Sequence, residues 1–297
     1  MSASAAAPTD SILDHNNRLH RALAYFNRKR LAPALPPDDW SEARREEQSL
    51  LFLEANFIER ERRAIAAAVR DVPCAPDAFV HWFERLRETG PGQADALFPW
   101  LATDATHEQM RWFLLQEVAG EAGFEDLVAL TQIKMPVRPK LELARNFWDE
   151  MGRGNEDGMH GPMLGRLAQA MELESVPETT VWESLALGNM MIGLAASRYY
   201  AYQSIGALGV IELTAPGRAL HVSQGLRRLG LDGKARVYFE LHSTLDIRHS
   251  TAWNREVLAP LVAENPKVAV AIAEGALLRL RTGARCFQRY RREYAIV

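Results

Sequence analysis

From Lys234 to Val262 the chain reads as one long helix, and what that helix carries constrains the fold more tightly than any other stretch. At about 100° per residue, steps of four and three residues bring His242, Asp246 and His249 into one narrow stripe. Two imidazoles and a carboxylate aimed the same way offer two neutral nitrogen donors and one anionic oxygen donor. Helical bundles build metal sites from inward-facing side chains of this kind. Such a stripe becomes a site only inside a ring of other helices, so the rest of the chain is read for those helices and for further donors. The alternative is a helix face with two hydrogen-bonded histidines and a surface aspartate, which arises readily in helical proteins.

The other helices are legible from their apolar period. Residues 1–12 are small and polar and are expected to be disordered. A basic amphipathic segment covers about His15 to Lys29, ended by Pro33, Pro36 and Pro37. Asp39-Trp40-Ser41 signals a helix start, and Leu50, Leu53, Phe57 and Ile65 continue at helical spacing to about Arg70. Phe79 to Gly90 forms another helix, about Thr106 to Gln132 a long one, and Leu141 to Met151 the next. Glycines at 152, 154 and 158 interrupt the chain before a helix that resumes to about Leu173. A helix from Val181 runs beyond Tyr202, Pro216 is expected to break the pattern near Glu212, and Lys267 to Tyr294 closes the chain. Alternating Val/Ile/Thr runs flanking a hairpin dipeptide are absent. The fold class is therefore all-α, an antiparallel helical bundle.

Composition excludes several kinds of function. A net charge of -3 gives no electrostatic case for nucleic acid or an anionic membrane surface. No run of apolar residues is long enough to span a bilayer. Two cysteines, Cys74 and Cys286, without a CxxC pair make neither a disulfide framework nor a thiolate metal site. The N-terminus lacks a basic region and an apolar core, so a cytoplasmic protein is expected.

Further donors accompany three of the eight histidines. His15, His20, His81, His107 and His221 stand singly among charged or amphipathic neighbours, which suits surface or capping roles. Glu150 and His160 would sit about 15 Å apart on a straight helix, but the intervening glycines let the chain fold back. Asp157 and His160 also form a DxxH, as do Asp246 and His249; Asp157 lies among glycines, so Glu150 is the better donor. Glu212 is a lone carboxylate in an apolar stretch, and burial without a cation, metal or proton costs several kcal/mol. Arg198, Arg218 or Arg227 could pair with it instead. Glu117, Glu121 and Glu125 recur every four residues; a solvated face is the default, and Glu121 is the choice if one reaches an inner site. Arg198 or Arg279 could hold a substrate carboxylate.

Taken together, Glu150, His160, Glu212 and His242-x3-Asp246-x2-His249 resemble the donor set of the heme-oxygenase-like di-iron oxidases and oxygenases. The words Leu141-Glu-Leu-Ala-Arg-Asn-Phe-Trp-Asp-Glu150-Met-Gly and Gly206-Ala-Leu-Gly-Val-Ile-Glu212-Leu-Thr-Ala-Pro are similar to members called iron-containing redox enzymes. The resemblance covers roughly residues 105 to 295. It implies a seven-helix heme-oxygenase-like core at 101–297, preceded by a helical extension or dimer arm at 13–100. It implies that the six residues bind two iron ions (Fe2+/Fe3+), with dioxygen as co-substrate and Glu121 or a neighbour as a further catalytic carboxylate. Members of known function oxygenate amine nitrogens or cleave fatty and amino acids, so a small-molecule substrate is expected, with an external electron donor and a homodimer. Three imidazoles and three carboxylates without a thiolate suit iron or manganese better than structural zinc on chemical grounds alone. The rival readings are a metal-free thiaminase-like hydrolase or cofactorless oxidase of the same fold, and a non-catalytic iron-binding helical protein.

Overall fold

A computed structural model describes residues 8–120 and 123–296. Among these residues the chain is all-α, with a single antiparallel bridge between Met151 and Met159. Thirteen α-helices follow one another: α1 (Pro8–Leu31), α2 (Trp40–Ile65), α3 (Pro76–Thr89), α4 (Leu97–Thr103), α5 (His107–Gly120), α6 (Phe124–Thr131), α7 (Val137–Glu150), α8 (His160–Ala170), α9 (Trp182–Ala196), α10 (Ala201–Arg228), α11 (Gly233–Trp253), α12 (Ala259–Glu264) and α13 (Val268–Tyr294). Of the twelve residues expected to be disordered, 8–12 belong to α1, and the first seven lie outside the described residues.

The centre of the bundle is α10, apolar on nearly every side and packed on α9, α11 and α13. Its seating on α11 depends on a missing side chain. A Cβ on Gly209 would come within 2.4 Å of the indole of Trp253. That contact fixes the register of the two helices. Glu212 stands one turn beyond Gly209 and His249 one turn before Trp253, so the same contact brings these two donors level. The N-terminal helices join the same hydrophobic core through Leu23, Phe57, Ile58 and Phe79. They are also tied to it by polar pairs: Asn27 donates to Asn189 at 2.9 Å, and Arg62 reaches Glu274 at 2.9 Å.

Four expectations about helix ends and breaks need correction. The helix expected from Val181 to beyond Tyr202 ends at Ala196, because Ser197 is extended at φ -97 and ψ 123 and α10 starts anew at Ala201. The helix expected from Thr106 to Gln132 is two helices, because Gly123 adopts φ +71 at the N-cap of α6, a conformation outside the helical region. Pro216 does not break α10. It lacks the N–H that would reach the carbonyl of Glu212, yet the turn is held from the side, where Thr214 Oγ1 donates to the Val210 carbonyl at 2.7 Å. The helix expected to Val262 widens into a π-turn at Asn254–Leu258, where the N–H of Ala259 reaches back to Asn254 O. Pro260, which has no N–H of its own to give, follows at once.

His20 is likewise not a surface residue. It is completely buried, with its ring 4.7 Å from Phe57 and 5.7 Å from Trp182, and burial pushes its pKa down to about 3.

Candidate metal centre

Glu150 is the last residue of α7 and His160 the first of α8. The nine residues between them form a tight return rather than a helix. Gly152 adopts φ +60, and a Cβ there would meet the backbone of Gly158 at 2.4 Å. Only glycine fits this crossing. Met151 and Met159 pair across it, so Glu150 Oε2 comes within 2.5 Å of His160 Nδ1. Asp157 stays on the exposed outside of the return, its N–H donating to Asn155 Oδ1.

The remaining donors come from α10 and α11. Glu212, Asp246 and His249 are buried, and His242 is half-buried on the wall of an internal cavity. Two triads of donor atoms result, each with all its atoms within 4.8 Å of one another: Glu150, His160 and His242 in one, and Glu150, Glu212 and His249 in the other. Glu150 belongs to both. Asp246 completes neither triad, but it lies in the same cavity wall and its Oδ1 is buried without a hydrogen-bond partner. Five of the six sequence donors are thus brought to ligand distance of one another in two overlapping groups, and the sixth stands beside them.

Which atom of each imidazole is available follows from what holds the other. His242 Nδ1 lies 2.6 Å from the Tyr238 carbonyl, so Nδ1 carries the proton and Nε2 is the donor. His249 Nε2 donates to Asp149 Oδ2 at 3.1 Å, leaving Nδ1 facing Glu212 Oε2 at 3.4 Å and Glu150 Oε1 at 4.0 Å. Neither His160 Nδ1 nor His249 Nδ1 is aligned for a hydrogen bond with the carboxylates that crowd it. Glu212 is steadied by Asn146, whose side-chain nitrogen donates to Oε1 at 2.6 Å. None of Arg198, Arg218 and Arg227 makes the ion pair that offered an alternative. Arg198 instead caps the end of α6 through the carbonyls of Leu130, Thr131 and Ile133.

Asp149 and Asn146 were missed in the sequence. Both lie on α7 on the turn that carries Glu150, at i−1 and i−4, and that spacing was the available signal. A ligating histidine whose second nitrogen is held by a carboxylate is an ordinary supporting arrangement in metal sites.

The electrostatics describe a site built for cations. Burial, then the charge of Glu212, raises Glu150 to about 9. Burial, then Glu212 and Glu150, also raises Asp246. Burial, helped by neighbouring imidazoles, lowers His160 and His242 to about 4, so both are neutral donors. Burial would lower His249 as well, but the Glu212 carboxylate facing its Nδ1, with Asp149 and Glu150, outweighs it and raises this imidazole to about 9. Without a metal the cation facing these carboxylates, among the described residues, is the His249 imidazolium. Two neutral imidazoles, three crowded carboxyl groups and donor atoms left without hydrogen bonds fit a pair of divalent ions and leave no thiolate that would favour zinc.

Above the donors the cavity measures about 180 Å³, walled mainly by Phe113, Leu127, Leu164, Leu187 and Met191. Glu125 lines it close to the centre: its Oε1 lies 3.1 Å from where a Cβ of Gly161 would stand, and its charge acts on both Glu150 and His160. Glu117 lines it as well, beside Arg218 and Arg279. Glu121, the carboxylate singled out from the sequence, lies outside the described residues.

A bundle of this kind with an iron-type donor set defines a class, the heme-oxygenase-like redox proteins. The family profile for iron-containing redox enzymes matches residues 111–284, and the chain belongs to that family. The match spans α5 to α13 and includes all six donors. No curated protein matches the chain. No helix among the described residues is long and apolar enough to cross a membrane.

Proposed function

We propose that the protein is a non-heme di-iron, dioxygen-dependent oxidase or oxygenase of a small organic substrate, an amine, amino acid or fatty acid. The observation that supports this most is the sharing of Glu150 between two buried triads, one completed by His160 and His242 and the other by Glu212 and His249. Glu150, with one oxygen toward His160 and the other toward His249, would help to hold both ions, and Asp246 would add to them. When bound, the irons would supply the reduction of dioxygen and the oxidation of substrate, by N-oxygenation or oxidative carbon–carbon cleavage.

The chain's own contribution is positioning and exclusion. Asp149 and the Tyr238 carbonyl set the tautomers of His249 and His242, so that each presents a lone pair. Burial keeps His160 and His242 unprotonated near neutral pH. Apolar walls keep bulk water from the centre and admit a hydrocarbon portion of a substrate. Glu125, at the cavity face of the centre, is the described carboxylate best placed to take or return a proton. A metal-free reading is disfavoured for want of a nucleophile: Cys74 is exposed, and burial, then the charge of Glu117, pushes the Cys286 thiol up to about 12.

Anaerobic protein is expected to take up about two iron(II) ions per chain. On admission of air with panels of amines, amino acids and fatty acids, an oxidised organic product should appear by mass spectrometry. Oxygen uptake that never exceeds the amount needed to oxidise the bound iron would indicate storage instead, and failure to bind iron would point to the metal-free branch.

A further inference from the structure

Away from the metal donors, the apolar cavity turns basic. Its wall follows α10 from Ile211 and Glu212 through Ala215 to Arg218 and Val222. Arg218 stands six residues past Glu212, about 9 Å along the helix axis. Its guanidinium lies 5.9 and 5.5 Å from the ring centroids of Phe98 and Phe287 and donates from Nη2 to Thr214 Oγ1 at 2.8 Å. Among the described residues no carboxylate stands within ion-pair distance of it. Among the described residues its other guanidinium nitrogens have no hydrogen-bond partner, and the side chain lines the cavity. Burial, then the charge of Arg279 and against that of Glu117, lowers its pKa to about 9. A cation enclosed among aromatic rings and a neutral hydroxyl is costly to keep unless an anion meets it. A guanidinium fork facing a cavity is shaped to take a planar carboxylate through two parallel hydrogen bonds.

We propose that the cavity binds a carboxylic acid with its carboxylate on Arg218, so that the hydrocarbon chain runs along the apolar wall toward Glu150 and Glu212. That this acid is the substrate rests on the oxidase reading above; the anion site does not. A phosphate dianion fits less well, because the Glu117 carboxylate shares this wall with Arg218 and Arg279 and would repel its second charge. Glu117, whose Oε1 accepts from Tyr290 Oη at 3.2 Å, is the group that would meet an α-ammonium if the acid is an amino acid.

The test is calorimetric titration of metal-free, full-length protein with octanoate, 2-aminooctanoate and octan-1-ol. Either acid is expected to bind at least tenfold more tightly than the alcohol, a difference of about 1.4 kcal/mol. A lead for 2-aminooctanoate would assign Glu117 to the ammonium, and a lead for octanoate would assign a plain fatty acid. Arg218→Gln and Arg218→Met should each abolish the preference for acids while leaving alcohol binding and iron(II) uptake intact. The methionine variant leaves no polar group buried and keeps the test available if the glutamine variant does not fold. An absent preference in the unaltered protein, or one that survives both substitutions, overturns the anion site. Loss of iron uptake in the unaltered protein with the preference intact would instead defeat the oxidase reading alone.

Discussion

Filling the metal centre is expected to drive protons out of it. Near pH 7 the metal-free centre retains protons that a bound cation must displace: one on His249, raised to about 9, and others on Glu150, raised to about 9, and on Asp246. Binding of two divalent ions near pH 7 should therefore release between about one and three protons per chain. The same groups set the stability of the metal-free protein. His249 and Glu150 have ordinary values of 6.5 and 4.5. Both hold protons in the folded state that the unfolded chain has already lost, so their contribution is complete below those values and disappears as pH rises toward 9. His160 and His242, lowered to about 4, act in the other direction and cost stability as pH falls from 6.5 toward 4. Between about pH 6.5 and 9 the metal-free protein should lose roughly 1.4 kcal/mol per pH unit for each extra proton the folded state holds. The metal-loaded protein should be nearly flat across that range. Titration with zinc(II), or anaerobically with iron(II), in buffers of different ionisation enthalpy counts the protons, and melting curves with and without metal measure the slope. Binding of two ions with no proton release, or stability of the metal-free protein that rises from pH 7 to 9, would refute the electrostatic account of the centre.

Five substitutions test the geometry. Glu150→Ala should abolish binding at both positions, whereas His242→Ala and His249→Ala should each leave about one ion per chain with helicity unchanged by circular dichroism, because only Glu150 belongs to both triads. Asp149→Asn should weaken one of the two binding events by about 10–100-fold and spare the other, since it touches His249 alone among the donors; a chelator competition measures both. Gly152→Ala should cost about 1–3 kcal/mol in thermal stability and lower metal affinity, because the crossing with Gly158 must open and carry His160 away from Glu150.

The residues that converge on the candidate centre were legible because each stood out locally. His242, Asp246 and His249 share a helix stripe, Glu212 interrupts an apolar run, and the glycines after Glu150 announce a return. What lay hidden depends on partners far away in sequence. Asp149 looks like any acid near a helix end until His249 is seen opposite it, and Asn146 acquires a role only from Glu212. His20 looked superficial beside its charged neighbours, yet Phe57 and Trp182, 37 and 162 residues further along the chain, enclose it. The split at Gly123 was missed because a glycine within an apolar period is tolerated by helices as often as it ends them. Pro216 misled in the opposite sense, since tertiary packing on three sides holds α10 straight through a residue that would end an isolated helix.

The return between α7 and α8 gives the centre two unlike halves. Three donors ride on α11, a single stiff rod pinned at Gly209 by Trp253, while Glu150 and His160 hang on a short crossing with few buried side chains. A disturbance of the crossing would part Glu150 and His160 from the α11 residues while leaving the bundle itself in place.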